Sequence, residues 1–289
     1  MNTRESLLTF IKTDRSHGAR ELALIALRGI RQIVSRADET DPQVFRGWIR
    51  SLVREIGAAR PSMIPIVNAM VLVGNSMSSG ITVDRLKEEV RDAIDELEER
   101  IETALDKIVA HGLRYFRTQK FRCVLTHSSG STVKALLLAA AEENLIQQVI
   151  VTESRPLYEG VDLARELSSV VEVILITEAQ IAQSMTQCDA VVLGVDAIGK
   201  DLGFINKVGS RLVALSAGEL RKPVIFAGET IKVHPTLKAA EIPLEEAPPE
   251  ELGHDLPERI QIRNVYFETV ERELVNVWIS EEGIHHPNK

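Results

Sequence analysis

The stretch RCVLTHSSGSTVKALLLAA, residues 122–140, decides the fold class of this chain. It joins a short apolar run to a turn rich in serine and glycine, which leads into an apolar segment with helical periodicity. This alternation recurs along the second half of the chain and predicts repeated βαβ units with a parallel sheet. The predicted strands are Arg122–Thr126, Gln148–Thr152, Glu172–Thr177, Ala190–Gly194 and Pro223–Ala227, with a last strand around Val275–Ser280.

The first half of the chain has a different pattern. From Glu5 to about Phe116 the apolar residues recur at helical spacing, and a last helix begins near Thr82 with one apolar stripe. The predicted fold is therefore α/β, with a helical N-terminal domain over residues 1–118. A Rossmann-like parallel sheet with helices on both faces follows over residues 119–289.

Composition narrows the class of protein. The 289 residues are 44% hydrophobic and 26% charged, and the net charge of −8 argues against a direct nucleic-acid partner. The first residues lack the apolar core of a signal peptide, and the longest apolar stretch, Met63–Gly74, is broken by Pro65 and Asn68. We expect a cytoplasmic protein without a membrane partner. Cys123 and Cys188 are not closely spaced, so no disulfide framework, metal site or cofactor is predicted.

In doubly wound sheets, ligands bind outside the carboxyl ends of the strands. The first predicted strand is followed by His127 and then by the turn Ser128–Thr132. A turn of this kind at the start of a helix offers backbone N–H groups, hydroxyl donors and the positive end of the helix dipole to an anion. The alternative is an ordinary helix cap by Ser129 or Ser131.

Further polar residues follow the second and fourth predicted strands. Arg155 is placed to bind a phosphate or carboxylate, although a solvated arginine is an equal alternative. Asp196 follows an apolar run, so its carboxyl is expected to be partly desolvated and suited to proton transfer. The alternative for Asp196 is a cap on the next turn. Asn206 and Lys207, which come a short loop later, bring an amide and an ammonium towards the same edge.

Several motifs together carry a resemblance to a known family. They are RPSMIPIVN at 60–68, THSSGSTV at 126–133, SRPLYEG at 154–160, GVDA at 194–197, NKVG at 206–209, GETIKVHP at 228–235 and the tail at 264–284. In this order they resemble the eukaryotic initiation factor 2B alpha, beta and delta subunits. That family includes ribose-1,5-bisphosphate isomerase and 5-methylthioribose-1-phosphate isomerase.

The resemblance implies a pocket for a phosphorylated sugar or nucleotide between the two domains, and assembly as a homodimer or a hexamer, a trimer of dimers. It implies proton exchange by Asp196, substrate contacts by Asn206 and Lys207, a phosphate contact by Arg60, and an Arg-Gly-Ala motif that ends at Gly18 and Ala19. With the residues derived above, the predicted site is catalytic Asp196 and Ser128, and binding Gly18, Ala19, Arg20, Arg60, His127, Ser129, Gly130, Ser131, Arg155, Asn206 and Lys207.

The chain also departs from the family pattern. Ser128 stands where the isomerases carry a cysteine, and a serine hydroxyl is a poor proton carrier without an adjacent base. His17 replaces the arginine of the Arg-Gly-Ala motif, although Arg20 lies within reach of the same turn. Glu159 stands where glutamine is common, and its carboxylate would repel a phosphate. Cys123 lies on the predicted strand and is not assigned the missing role.

Three functions are compatible with these observations. The first is an aldose–ketose isomerase in which Ser128, or nearby His127, substitutes for the cysteine. The second is a non-catalytic sugar-phosphate or nucleotide sensor, or a regulatory subunit resembling those of translation initiation factor 2B. The third is a structural partner subunit with an empty site.

Overall fold

The computed structural model describes residues 3–14, 17–79, 82–244, 246–253, 256–257 and 259–289. The chain forms two compact units, Met1–Thr103 and Ala104–Lys289. Within the described ranges, no helix has both the length and the apolar character needed to cross a membrane. The same residues contain no group of histidine, cysteine and acidic side chains placed to hold a metal ion.

Unit 1 is helical, as predicted. Its helices are α1 (Arg4–Thr13), α2 (Ala19–Ser35), α3 (Pro42–Ala59), α4 (Ile64–Asn75) and the first part of α5 (Val83–Gln119). The Asp41 carboxylate caps α3 by accepting hydrogen bonds from the Gln43 and Val44 N–H groups. The apolar stripes of the helices are buried, so this unit has its own core.

Unit 2 contains the predicted parallel sheet. The strands of its large sheet are β1 (Cys123–Thr126), β2 (Gln148–Thr152), β3 (Glu172–Ile176), β4 (Ala190–Leu193), β7 (Val224–Ala227), β9 (Val277–Ser280) and β10 (Gly283–His285). In the described residues their order is β10-β9-β7-β4-β1-β2-β3, and every neighbouring pair is parallel except β9 and β10. If β10 is left aside, the spatial order of the six parallel strands is that of the Rossmann fold.

Helices cover both faces of this sheet. They are α6 (Ser131–Glu142), α7 (Glu159–Leu167), α8 (Ile181–Ser184) and α9 (Ser210–Glu219). Val124 of β1 packs in one apolar cluster with Leu136 of α6. The next residue, Leu125, packs in the opposite cluster with Val213 of α9. Because successive side chains of a strand point to opposite faces, each strand contributes to both cores.

A second, smaller sheet was not predicted. It pairs β5 (Ala197–Ile198), β6 (Phe204–Lys207) and β8 (Phe267–Val270) in antiparallel fashion. Asn206 and Lys207 therefore lie on a strand that the sequence did not predict. Local patterns do not reveal β6 because it is held by β8, which comes much later in the chain.

Gly160, in the first turn of α7, permits a close approach between this helix and β2. A Cβ atom at this position would overlap the Thr152 carbonyl oxygen and would lie 2.8 Å from Ser154 Oγ. Because the obstacle is backbone, it cannot rotate away. The glycine thus sets the position of α7 and of Glu159 at its start.

We expect Gly160→Ala to destabilise the protein by at least about 2 kcal/mol, because α7 must shift away from β2. Gly218→Ala is the matched control, since Gly218 lies in α9 with nothing within 4 Å of an added Cβ. This control is expected to gain up to about 1 kcal/mol from reduced backbone entropy in the unfolded chain. Urea unfolding of both variants measures the difference, and equal effects would contradict the role given to Gly160.

Candidate functional site

The order of the large sheet reverses between β1 and β4. From β1 the chain continues to β2 on one side, whereas β4 continues to β7 on the other. In open α/β sheets this reversal leaves a crevice at the carboxyl ends of the two strands, where ligands bind. A Cβ built on Gly194, directly after β4, would lie 3.9 Å from Gly130 Cα and 3.8 Å from Asn206 Oδ1. The loops after β1 and β4 therefore meet beside Asn206.

His127 is a buried link between the ends of the strands. Its Nε2 lies 2.8 Å from the Val208 carbonyl oxygen and its Nδ1 lies 2.7 Å from Thr152 Oγ1. Burial lowers the pKa of His127, although the Val208 hydrogen bond opposes this shift. The neutral ring consequently donates from Nε2 and accepts at Nδ1. Both ring nitrogens are thus engaged within the protein.

Ser128 is held by two hydrogen bonds in a left-handed backbone conformation, with φ of 67°. Its N–H donates to Ser154 Oγ at 2.9 Å, and its hydroxyl donates to Glu159 Oε1 at 3.1 Å. The same Glu159 oxygen lies 2.8 Å from Lys207 Nζ. The site therefore joins the predicted residues Ser128 and Lys207 through Glu159, which was noted only as a departure from the family pattern.

The surroundings of Lys207 keep its ammonium in one place. The side chain is 6% exposed, and Nζ lies 4.6 Å from the centre of the Tyr266 ring. The Tyr266 hydroxyl in turn hydrogen-bonds to Glu251, and burial together with this carboxylate raises the pKa of Tyr266. Lys207 is thus held by a carboxylate and an aromatic ring.

Asp196 follows β4 and Val195. The residue is exposed, yet desolvation by the surrounding protein raises the pKa of its carboxyl, with Lys232 and Lys207 opposing the shift. Among the described residues, none forms a hydrogen bond or ion pair with this carboxylate. A raised pKa favours the protonated form of this accessible carboxyl, which suits a group that donates and takes back a proton.

Glu229 and Lys232, which were not predicted as site residues, also reach this edge. Lys232 Nζ donates to the Val195 carbonyl oxygen at 2.8 Å and lies 2.8 Å from Glu229 Oε2. Glu229 Oε1 accepts from Thr132 Oγ1 at 3.3 Å. Both residues lie in the segment that follows β7, so the rule that ligands bind at strand ends also applies to them.

The turn after β1 begins α6 without a side-chain cap. Gly130 is the N-cap residue, and within the described part of the chain it provides no side-chain cap for the N–H groups of the first turn. Ser129 and Ser131 beside it are exposed. The alternative that Ser129 or Ser131 caps the helix is therefore not observed. Because α6 begins after the carboxyl end of β1, its N-terminal N–H groups lie at that end of the strand.

Arg155 is placed apart from the group around Ser128. Its guanidinium donates to the Leu252 carbonyl oxygen at 3.1 Å, hydrogen-bonds to the Tyr158 hydroxyl and lies 5.0 Å from the Tyr158 ring centre. These contacts tie Arg155 to the segment around Leu252.

The predicted residues of unit 1 lie at the start of α2 and the end of α3. Arg60 donates to the Asp14 carbonyl oxygen at 2.8 Å, and His17 Nδ1 lies 3.0 Å from Asp14 Oδ2. Asp14 therefore brings Arg60 next to the Arg-Gly-Ala position. Gly18 caps α2, followed by Ala19, while Arg20 bonds to the carbonyl oxygens of Ile101 and Glu102.

Comparison with known proteins identifies the family. The sequence profile described as the initiation factor 2 subunit family matches residues 15–287. The chain belongs to the initiation factor 2 subunit family. This confirms the resemblance found in its motifs.

Members of this family carry different names. The chain is 32% identical over 280 residues to a putative translation initiation factor eIF-2B subunit 2-like protein of Pyrococcus horikoshii, covering 96% of this chain and 94% of that protein. It is 32% identical over 231 residues to the ribose 1,5-bisphosphate isomerase of Haloferax volcanii, covering 78% and 70%. The crystal structure of the P. horikoshii OT3 translation initiation factor eIF-2B matches with a TM-score of 0.78, 29% identity, and coverage of 98% and 97%.

The raised pKa of Asp196 predicts a pH-dependent stability change in Asp196→Asn. The folded protein holds the Asp196 proton more tightly than the unfolded chain does. This stabilises the folded wild type below the usual pKa of 3.8, and the stabilisation is lost as pH rises through the pKa of the folded state. Asparagine stays neutral at every pH. The variant should therefore be more stable than the wild type at pH 7, with a Tm higher by on the order of 2 °C. The gain should shrink as pH falls towards 3.8.

Calorimetry at a series of pH values measures this effect, and Asp201→Asn is its control. Burial raises the pKa of Asp201, but hydrogen bonds from the Ala239 and Gly203 N–H groups outweigh it and lower the pKa. Its replacement should destabilise at pH 7. A loss of stability in Asp196→Asn at pH 7 would show that the Asp196 carboxylate is not destabilising.

Proposed function

We propose that this protein binds a phosphorylated sugar in the crevice between β1 and β4. The observation that supports the proposal is the meeting of the loops after β1 and β4 beside Asn206, together with the shared contact of Ser128 and Lys207 with Glu159. Family membership supports it, since a relative at 32% identity is named ribose 1,5-bisphosphate isomerase.

The phosphate is assigned to the turn that begins α6. The N-terminal N–H groups of this helix and the hydroxyls of Ser129 and Ser131 are donors that suit phosphate oxygens, and the helix dipole favours negative charge. Gly130 leaves room for a ligand to approach the backbone closely. A phosphate at this position needs no lysine.

The sugar is assigned to the side of the crevice formed by β6. Asn206 donates from Nδ2 to Ser210 Oγ at 2.9 Å, which fixes its amide and leaves Oδ1 directed towards Gly194. Lys207, Glu159 and Asp196 offer donors and acceptors that suit sugar hydroxyls. Contributions from Gly18, Ala19, Arg20, Arg60 and Arg155 remain predictions, as does a nucleotide as the alternative ligand.

We expect saturating 5-methylthioribose 1-phosphate or ribose 1,5-bisphosphate to raise Tm, with a stabilisation of about 2.7 kcal/mol at 100 times Kd. Unphosphorylated ribose should have no effect. Asn206→Ala should weaken binding about tenfold through a lost hydrogen bond. Gln147→Ala, an exposed amide before β2, is the control and should bind normally. Equal stabilisation of both variants by ligand would contradict the site.

A second candidate, favoured by the raised pKa of Asp196, is aldose–ketose isomerisation of the bound sugar phosphate. As the C1–O bond of the ring breaks, the ring oxygen takes a proton from the Asp196 carboxyl. The hydrogen on C2 passes to the electron-deficient C1 as a hydride, with its bonding electron pair, and the C2 hydroxyl returns a proton to Asp196 as the C2 carbonyl forms. Asp196 thus ends protonated, and no outside oxidant or reductant is needed.

Turnover separates this candidate from a sensor or regulatory subunit. Wild-type protein with ¹³C-labelled sugar 1-phosphate is expected to produce a ketose carbonyl signal in NMR spectra. Asp196→Asn should lose at least about 100-fold in rate, because the acid is removed, while Kd changes little. Binding by the wild type without ketose formation would exclude the isomerase and favour the sensor, in which Ser128 has replaced the cysteine of the isomerases.

The homodimer or hexamer, the cytoplasmic location and a role in translation initiation belong to the same proposal. They rest on the family resemblance and on composition.

A further inference from the structure

The two cysteines of the chain are distant in sequence but adjacent in the large sheet. Cys123 is the first residue of β1, and Cys188 comes two residues before β4. Because Val124 aligns with Ala190, Cys123 is level with Asp189, whose N–H donates to the Cys123 carbonyl oxygen at 2.7 Å. Cys188 directly precedes Asp189 and is therefore held beside the first residue of β1.

The Asp189 side chain fixes the same stretch of backbone a second time. Its Oδ2 accepts hydrogen bonds from the Arg122 N–H at 2.7 Å and from the Cys123 N–H at 2.9 Å. The start of β1 and the start of β4 are thus joined by bonds in both directions. This end of the strands is opposite to the carboxyl ends that form the crevice.

Both cysteine side chains enter one apolar cluster. Cys123 and Cys188 belong to the cluster that contains Leu125, and they are 7% and 1% exposed. Cys123 Sγ lies 3.4 Å from Gln148 Oε1, and Cys188 Sγ lies 3.5 Å from the Ser184 carbonyl oxygen. The thiols are therefore placed on the same face of the sheet, within the protein.

The two thiols also interact with each other. Hydrogen bonding with Cys188 lowers the pKa of the Cys123 thiol, although burial and the Asp189 carboxylate oppose this shift. The same hydrogen bond raises the pKa of the Cys188 thiol, and burial adds to the rise. Cys123 therefore forms a thiolate more readily, and it is also the more exposed of the two cysteines.

We propose that Cys123 and Cys188 form a reversible disulfide that joins the start of β1 to the segment before β4, with a hydroperoxide as the oxidant. The contact between the two thiols across neighbouring strands supplies the geometry. This modification site is separate from the proposed sugar-phosphate site, because the two lie at opposite ends of the strands.

The reaction consumes one hydrogen peroxide for each disulfide. The Cys123 thiolate attacks a peroxide oxygen, the O–O bond breaks, and the hydroxide released takes up the thiol proton and leaves as water. Cys123 is then a sulfenic acid. The Cys188 sulfur attacks the Cys123 sulfur, and the S–O bond breaks as hydroxide leaves with the Cys188 proton as a second water. Both thiols are oxidised and the peroxide is reduced.

Hydrogen peroxide treatment of the full chain, well below its Tm, tests the proposal by intact mass spectrometry without reductant. The wild type is expected to lose the mass of two hydrogen atoms, and digestion should release a peptide that links Cys123 to Cys188. Dithiothreitol should restore the original mass. An unchanged mass, addition of oxygen alone, or a disulfide between two chains would overturn the proposal.

Two single variants test the order of attack. Cys188→Ala keeps Cys123, so peroxide should add oxygen to this residue, and no hydrogen should be lost. Cys123→Ala lacks the more reactive thiol, and its remaining thiol should be oxidised at least about tenfold more slowly than that of Cys188→Ala. Equal rates would contradict the assignment of Cys123 as the attacking thiol. If either variant does not fold, the linked peptide of the wild type alone decides.

Discussion

The pairing of β1 with β4 is the constraint on which the site depends. Val124 aligns with Ala190 and Leu125 with Val191, and all four side chains are buried. Because both faces of these strands are covered, the register cannot slip without exposing apolar side chains to water. The loops that follow the two strands are consequently held side by side, and the Gly130 and Gly194 backbones approach closely. The crevice is a consequence of this core.

Charge in the crevice is balanced internally before any ligand arrives. Glu159 opposes Lys207, Glu229 opposes Lys232, and Asp196 is the carboxyl without such a partner among the described residues. Desolvation therefore raises the pKa of Asp196, although both lysines act against it. Each of these two lysines therefore already has an anion beside it within the protein. The family includes proteins named as isomerases and as initiation factors.

Local patterns in the sequence were sufficient for the strands of the large sheet other than β10, which was not predicted. The short apolar runs were confirmed as strands, and the helical spacing of the first half as helices, because both signals arise from burial within one element. The small sheet was missed because β6 depends on β8, far along the chain. Glu229 and Lys232 were missed although they follow a predicted strand.

The sequence by itself determined the fold class, the order of the strands along the chain and the family, because these follow from periodicity and from the identity of motif residues. It also showed that Ser128 and Glu159 depart from the family pattern. Only the tertiary structure decided that one oxygen of Glu159 serves both Ser128 and Lys207, and that His127 has both nitrogens engaged. Such contacts join residues distant in the chain, and their geometry depends on how the strands and helices pack.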